Sequence, residues 1–394
     1  MLIPRCEKCH ERHGIRPDAE YTGSIWRALP HLQRNTRGRI TVNKIANRLF
    51  YAGLDKDAFY RVMPQARLEN EGKLKTYALI TLGMFLLLSL LNYTLGVFPS
   101  GTTLCYLSIA LFSAAVYGLM RILPSRNPTA TTTLCYTFLA ALYAFSIILS
   151  VIHPELPAVT AIAVMLMGPF LFTERPIHLI GMNAAAIVLL CVLSLHCKSR
   201  ALALIDIWNA FAFGIISIMA EINQECIRFR LLYNTDRITY LSETDLLTGC
   251  KNRNCFQERL SVYPEKCRES LVCVYIDVNG LHDLNDRCGH EAGDIMLQAA
   301  ARALLETFDP EHTYRTGGDE FVVLRMDADK EDTRKKIEQV KAALSAQGYD
   351  ISAGIETAGK TGLDLNELCK QAELHMYEEK EAYYAQSSRD RRKR

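Results

Sequence analysis

Long apolar segments fill the middle of the chain and are separated by short polar breaks. No Asp, Glu, Lys or Arg lies between Lys75 and Arg121, and the stretches 127–154, 156–173 and 176–197 are also free of these residues. An apolar run of about 18 residues or more can cross a membrane as a helix, because a helix satisfies its own backbone hydrogen bonds where no water is present. The pattern predicts six membrane-spanning helices, at 77–98, 102–122, 131–152, 157–173, 177–196 and 201–221.

The charged residues beside these segments predict their orientation. Six crossings return the chain to its starting side, and Lys and Arg accumulate on the cytoplasmic side of membrane proteins. The basic N-terminal region, Arg121, Arg175 and the C-terminal region then lie in the cytoplasm, whereas Lys198 and Arg200 lie on the other side, against the rule. We expect a multi-pass protein of the inner cell membrane, in contact with lipid, in which residues 76–221 form a six-helix transmembrane sensor domain.

Residues 1–75 are polar and basic, and we interpret them as an N-terminal cytoplasmic and juxtamembrane region. Cys6, Cys9 and His10 form the Cys-x-x-Cys-His pattern of covalent haem attachment, and with His13 they could instead supply zinc ligands. Covalent haem is not expected, because its attachment needs export of this end; zinc and an incidental tail both stay open. The other cysteines are scattered without paired spacing, which is typical of reduced thiols. With a net charge of only +2, the chain gives no reason to expect a nucleic-acid partner.

A polar helical pattern continues beyond the sixth apolar segment. Residues 222–244 carry apolar or Asn positions spaced four and three apart, as along the contact line of a coiled coil. We predict a helical linker that pairs with a second copy of the chain; a single solvent-exposed connecting helix is the alternative. The repeating positions are Ile227, Leu231, Asn234, Ile238 and Leu241.

The last part of the chain alternates between strand and helix patterns. The run LVCVYIDV at 271–278 is continuous and apolar, which is typical of a central strand, and 290–308 has helical periodicity. The segments TYRT at 313–316 and EFVVLRM at 320–326 flank a Gly-Gly pair and predict a hairpin. The order α-β-α-α-β-β-α-β-α predicts an α+β domain in which helices cover one sheet.

Acidic residues end two of these predicted strands. Asp277 closes the first, and Asp319 and Glu320 follow Gly317 and Gly318 at the hairpin. If the strands are neighbours, the carboxylates meet at one edge, and a divalent cation relieves their repulsion. Oxygen ligands suit Mg²⁺, which takes the rest of its shell from water and phosphates, and the glycines let backbone amides approach a triphosphate. The alternative is a type I′ turn whose acids only keep the edge soluble.

Four motifs in this order resemble the GGDEF domain of bacterial diguanylate cyclases. They are DLLTGCKNR at 245–253, IDVNGLHDLNDRCGHEAGD at 276–294, RTGGDEF at 315–321 and AELHMYEEK at 372–380. The resemblance assigns 245–386 to this domain and leaves 387–394 as a basic tail. It implies a sheet like the palm of nucleotide cyclases. The expected fold is therefore multi-domain: a six-helix transmembrane bundle followed by an α+β GGDEF domain.

The resemblance also implies an activity and residue roles. Two GTP molecules would become cyclic di-GMP and two pyrophosphates on a homodimer, because each domain holds one GTP. The metal, Mg²⁺ or Mn²⁺ in its place, would bind to the side chains of Asp277 and Asp319 and the carbonyl of Val278. Asp319 would be the base for the ribose 3′-hydroxyl, with Glu320 beside it. The expected substrate-binding residues are Asn285 and Asp294 for guanine, and Gly317, Gly318, His282 and Lys380 for phosphate.

Several positions depart from the family pattern. His282 stands where a phosphate-facing Lys is usual, and Tyr384 where a late Arg often contacts phosphate. The positions of the inhibitory Arg-x-x-Asp pair hold Phe308 and Glu311, so we predict that this product-inhibition site is absent. A catalytically silent GGDEF domain that binds nucleotide or a partner is the main alternative, and a transporter with a regulatory tail is another.

Overall fold

The computed structural model describes residues 42–122, 128–361 and 363–392, so the Cys6, Cys9 and His10 motif lies outside the described residues. The described chain divides into two compact units, and the boundary between them along the chain falls between Asp236 and Arg237. The first unit is helical. Its helices are α1 (Val42–Tyr51), α2 (Lys56–Leu95), α3 (Ser100–Ile122), α4 (Pro128–Ile152), α5 (Val159–Met167), α6 (Pro176–Cys197) and α7 (Arg200–Glu243), the last of which continues into the second unit.

Five of these helices, α2, α3, α4, α6 and α7, are long and apolar enough to cross a membrane. They contain five of the six predicted spans. The fourth prediction, a helix over 157–173, is wrong: α5 has nine residues and is followed by a 3₁₀ turn at Gly168–Phe170. Such a helix is about 14 Å long, roughly half of the hydrocarbon thickness. Pro169 is part of the reason, because it has no N–H to donate within a helix.

The segment around α5 nevertheless contacts α7 at two distant levels. The backbone amide of Ala158 donates to Asp206 Oδ1 at 2.7 Å, and the carbonyl of Phe170 accepts from Arg228 Nη2 at 2.9 Å. Asp206 and Arg228 are separated by about 33 Å along α7 at 1.5 Å per residue. The segment, about 20 Å long from α5 through the 3₁₀ turn, is therefore held at both ends by side chains of α7. Irregular backbone is tolerated at such depth where protein groups satisfy it, as Arg228 does here.

Helix α7 passes without interruption through the predicted linker. The four apolar positions proposed for pairing, Ile227, Leu231, Ile238 and Leu241, are all substantially exposed. The linker is thus helical, with an apolar line available on its surface, and its pairing with a second copy stays a prediction.

The second unit has four antiparallel strands with helices on both faces. Its elements are α8 (Arg253–Leu260), α9 (Tyr263–Lys266), β1 (Ser270–Asn279), α10 (Leu281–Cys288), α11 (His290–Thr307), a 3₁₀ turn (Pro310–His312), β2 (Thr313–Arg315), β3 (Glu320–Met326), α12 (Lys330–Ser345), β4 (Asp350–Gly359) and α13 (Leu365–Arg392). The strand order is β2-β3-β1-β4. The predicted strands, hairpin and α+β class are confirmed.

Strand β1 is central and buried on both faces, as its continuous apolar run predicts. Val274 and Ile276 pack with residues of α11 and α12, whereas Leu271 and Cys273 pack with residues of α8 and α13. The alternation follows from the two-residue period of a strand. This core fixes the end of β1 and therefore the position of Asp277.

Candidate functional site

The acidic edge consists of Asp277, Asp319 and Glu320. Asp277 in β1 lies opposite Glu320 in β3, and the amide of Val278 donates to the carbonyl of Asp319 at 3.0 Å. The strands are neighbours, as the sequence required, and the structure brings the three acids together at one end of the sheet.

Asp277 is buried, and only one of its two carboxylate oxygens has a hydrogen-bond partner among the described residues. Its Oδ2 accepts a 2.7 Å hydrogen bond from Lys380 Nζ on α13, while its buried Oδ1 has no partner among the described residues. Burial raises the pKa of Asp277, and the charges of Asp319 and Glu320 raise it further against the opposing effect of Lys380. Burial lowers the pKa of Lys380, but its contact with Asp277 outweighs burial, so that pKa is raised overall.

The donor set fits a hard cation. Unpartnered Oδ1 of Asp277 and the neighbouring carboxylates are the oxygen ligands that Mg²⁺ prefers. Within residues 42–122, 128–361 and 363–392, no group of three His, Cys, Asp or Glu residues is arranged to hold a metal. An ion here would therefore take part of its shell from water and phosphate, which is the usual behaviour of Mg²⁺.

Two neighbouring side chains, Arg315 and Tyr275, form hydrogen bonds at the glycine turn between β2 and β3. The Arg315 guanidinium donates to the carbonyl of Gly318 at 2.7 Å, and the Tyr275 hydroxyl donates to Glu320 Oε2 at 3.3 Å. A Cβ at Gly317 would lie 2.6 Å from Glu320 Oε2, so a larger residue here would displace the Glu320 carboxylate. Neither Gly317 nor Gly318 has a positive φ. A type I′ turn requires positive φ at both central residues, so the turn type of that alternative is wrong, whereas its reading of the acids as groups that only keep the edge soluble stays open.

Arg315 is a site residue that the sequence reasoning missed. Its Nη1 also pairs with Asp245 Oδ1 at 2.9 Å, and Asp245 further accepts from the Thr248 hydroxyl. Burial raises the pKa of Asp245, but the hydrogen bonds from Thr248 and Arg315 outweigh it and hold the pKa below its ordinary value. The only signal for Arg315 was its place directly before the Thr-Gly-Gly of the signature motif.

The two residues expected to read guanine lie where α10 meets α11. Asn285 is inside α10, and its buried Oδ1 has no partner among the described residues. A Cβ at Gly293 would lie 2.0 Å from that oxygen, so glycine makes room for the Asn285 side chain. Asp294 follows Gly293 on α11 and is exposed. The structure thus leaves one amide oxygen and one carboxylate available near this junction.

The departures from the family pattern have structural roles of their own. His282 is almost fully exposed and lies 3.5 Å from Asp286 on the same helix. The Tyr384 hydroxyl accepts a 3.2 Å hydrogen bond from the amide of Gly280, in the turn after β1. At the inhibitory positions, Phe308 is buried and Glu311 pairs with Arg259 at 2.9 Å. Tyr384 thus lies beside the end of β1 and near Lys380, whose pKa it helps to raise.

Comparison with known proteins was consistent with this architecture. Residues 242–386 match the family model described as "Diguanylate cyclase, GGDEF domain". The chain is 30% identical over 171 residues to the cyclic di-GMP phosphodiesterase PdeB of Shewanella oneidensis, covering 41% of this chain and 19% of that protein. It is 23% identical over 213 residues to the probable diguanylate cyclase DgcT of Escherichia coli, covering 50% and 47%. The chain thus spans about a fifth of the first relative and about half of the second.

Among solved structures, the chain is similar to a sensory box/GGDEF family protein of Caulobacter crescentus. The identity is 30%, the TM-score is 0.32, and the match covers 36% of this chain and 99% of that one.

Proposed function

Because residues 242–386 form a GGDEF domain, we propose that the protein is a membrane-bound diguanylate cyclase that condenses two GTP into cyclic di-GMP and releases two pyrophosphates. The observation that carries this proposal is the acidic edge: Asp277 lies opposite Glu320 and beside Asp319, with one buried carboxylate oxygen unpartnered. A domain that had lost its chemistry would not need to keep these three acids together.

The metal site consists of the side chains of Asp277 and Asp319 and the carbonyl of Val278. When bound, Mg²⁺, for which Mn²⁺ can substitute, supplies positive charge to the phosphates and to the attacking oxygen. Lys380 already neutralises Asp277 in the protein itself, at 2.7 Å. Its ammonium can turn towards a substrate phosphate once another positive charge lies beside Asp277.

The remaining residues bind and orient GTP. Asn285 and Asp294 accept hydrogen bonds from the N1 and N2 hydrogens of guanine, which matches the unpartnered Oδ1 of Asn285. The backbone at Gly317 and Gly318 approaches the phosphates, with Gly318 held by Arg315. His282 lies on the first turn of α10, where its neutral form gives less phosphate attraction than a lysine would.

The reaction forms one P–O bond and breaks another at each of two centres. The 3′-oxygen of one GTP attacks the α-phosphorus of the other, its proton passes to Asp319, and the bond to the β-phosphate oxygen breaks as pyrophosphate leaves. Glu320, which the Tyr275 hydroxyl contacts at 3.3 Å, keeps the edge negative beside this proton acceptor. Each domain supplies one GTP, so two copies must face each other with reacting atoms about 3 to 3.5 Å apart.

Dimer geometry is the proposed point of control. Helix α7 connects the membrane bundle to the residues of the GGDEF domain, and its exposed Ile227, Leu231, Ile238 and Leu241 offer a surface for a second copy. We place the chain in the inner cell membrane in contact with lipid, with the N-terminal region and the cyclase domain in the cytoplasm, where GTP is available.

The test is product identification with the full-length protein in lipid nanodiscs. With GTP and Mg²⁺, mass spectrometry should detect cyclic di-GMP and pyrophosphate, and Asp319→Asn should abolish both. Product from the variant at the parental rate would overturn the roles assigned to Asp319.

A silent GGDEF domain is the second candidate, because His282 is exposed beside Asp286 and Tyr384 bonds to Gly280 rather than offering a positive charge. It predicts GTP binding without turnover in the same preparation. That result from a dimeric parent protein would replace the cyclase proposal.

A further inference from the structure

The buried face of α7 carries polar side chains where the predicted sixth span, 201–221, ends and the predicted linker, 222–244, begins. Ser217, Glu221 and Glu225 are each no more than 1% exposed. Their spacing of four residues places them in one line along the helix. Ionisable groups at such depth face the interior of a bundle and are functional candidates, because exposing them to lipid is unfavourable.

The polar line contains more hydrogen-bond acceptors than donors. Both carboxylate oxygens of Glu221 and the Oε2 of Glu225 are buried without a partner among the described residues. Asn183 on α6 is fully buried, its Nδ2 donates to Ser217 Oγ at 3.0 Å, and its own Oδ1 has no partner in the same part of the chain. These four atoms are oxygens that accept, whereas the buried Tyr143 hydroxyl near Glu221, also without a partner among the described residues, carries a single hydrogen, so acceptors still outnumber donors.

The positively charged side chains of this region interact with Glu225 and not with Glu221. Arg228 Nη1 lies 3.0 Å from Glu225 Oε1, and Lys73 of α2 and the backbone amide of Glu174 also act on Glu225. Glu221, in contrast, faces the negative charge of Glu225 and, from α4, the Tyr143 hydroxyl.

Uptake of a single proton by Glu221 would neutralise its carboxylate and supply a hydrogen-bond donor. An unpaired carboxylate in a low-dielectric interior becomes neutral by taking up a proton rather than staying charged. A protonated Glu221 is a donor, and Glu225 Oε2, an unpartnered acceptor, lies one turn away on the same face. Neutral Glu221 also removes the repulsion between the two acids. Metal binding is less well supported, because the described residues provide no group of three His, Cys, Asp or Glu ligands.

We propose that Glu221, with Glu225 as its acceptor, is a buried proton-binding site at the end of the predicted sixth span, and that release of the proton loosens the packing of α7 against α4 and α6. The second half of this proposal rests on the proposed function, because it makes the proton a signal that α7 carries towards the cyclase domain. Loss of the proton would place two negative charges one helical turn apart in the bundle interior, and their repulsion can be relieved only by movement of α7 or entry of water.

The site is tested by infrared titration of the full-length protein in lipid nanodiscs without GTP. A protonated carboxyl group has a C=O band distinct from that of a carboxylate. We expect such a band in the parent protein, its loss in Glu221→Gln, and its retention at a shifted frequency in Glu221→Asp. The control Glu155→Gln, at an exposed position between α4 and α5, should leave the band unchanged. If the band is absent from the parent, or unchanged in both Glu221 variants, the proposal is wrong.

Two further measurements identify the occupant and its effect. Replacing sodium with choline in the buffer should not alter the band; an alteration would assign the site to a metal cation and overturn the proposal. Hydrogen exchange of the α7 segment around Glu221, corrected for its intrinsic pH dependence, should become faster as the band disappears in the parent and stay constant in Glu221→Gln. Equal exchange in both would overturn the coupling. Neither readout needs cyclase turnover, so a failed proposed function leaves both results interpretable.

Discussion

The acidic edge of the C-terminal unit and the polar line of α7 both contain buried carboxylates, but the two sites differ in their access to water and ligands. In each, one acid is paired with a basic side chain, Asp277 with Lys380 at 2.7 Å and Glu225 with Arg228 at 3.0 Å, and buried carboxylate oxygens are left without partners. At the edge, Asp319 and Glu320 are only partly buried, so an ion with its own water and phosphate ligands can reach them. In the bundle, Glu221 is enclosed. Access to water and ligands therefore favours a hard cation at the first site and a proton at the second.

The largest expected effect comes from removing the charge of Asp319. Asp319→Asn should lower cyclic di-GMP formation by about 10²- to 10⁴-fold, because the site loses both its base and a metal ligand. Turnover of the full-length protein at saturating GTP measures this. The matched control is Asp332→Asn, an acid on α12 that is about half exposed and pairs with Arg325, for which we expect less than about a twofold change. Comparable losses of turnover in both variants would contradict the role assigned to Asp319 at the acidic edge.

Lys380→Met should show whether Lys380 and the metal compensate the same charge. The variant leaves buried Asp277 without its cation, so we expect a loss of about 2 kcal/mol in domain stability in the absence of Mg²⁺. Mg²⁺ with a GTP analogue should then raise the unfolding temperature more in the variant than in the parent. Lys370→Met, at an exposed position of the same helix, is the control. An equal Mg²⁺ response in all three proteins would contradict the shared role.

The pH dependence of the Asp245→Asn variant tests how far Asp245, through Arg315, supports the glycine turn. The folded pKa of Asp245 is lowered, so its charge contributes stability above the ordinary pKa of an aspartate, and that contribution is lost as pH falls through the folded value. We expect the hairpin of β2 and β3 to open more easily by about 1–2 kcal/mol at neutral pH in the variant, with the difference vanishing once the pH falls below the folded pKa of Asp245. Hydrogen exchange of the hairpin measures this; a difference that persists in acid would point to a steric cause.

The smallest effect is expected at Tyr384. Tyr384→Phe removes one neutral hydrogen bond to the amide of Gly280, so the stability loss should be about 0.5–1.5 kcal/mol and the Michaelis constant for GTP should change little. Tyr377→Phe, at a half-exposed position of the same helix, provides the comparison. A large rise in the Michaelis constant in Tyr384→Phe alone would show that its hydroxyl contacts substrate.

The sequence predicted the parts of the fold that depend on local periodicity. The central strand β1 and the hairpin followed from apolar runs and the Gly-Gly pair, and the position of Asp277 beside Asp319 followed from them. The fourth span failed because a count of apolar residues gives no weight to Gly168 and Pro169, where α5 ends and the 3₁₀ turn begins, and the Met165 carbonyl that Pro169 leaves without a helical donor accepts from Ser217 Oγ instead. Lys380 beside Asp277, Arg315 on Gly318 and Glu221 beside Glu225 were not predicted as contacts. Only the first of these pairs joins distant parts of the chain, where tertiary packing brings Lys380 to Asp277; the other two depend on the local conformation of the turn and on the burial of one face of α7.

Binding of Mn²⁺, observed by electron paramagnetic resonance in the full-length protein with a non-hydrolysable GTP analogue, tests the central claim most directly. The account predicts bound Mn²⁺ in the parent protein and its loss in both Asp277→Asn and Asp319→Asn, with Asp332→Asn binding as the parent does. Unchanged Mn²⁺ binding in the Asp277 and Asp319 variants would contradict the claim that these two strand ends hold the ion.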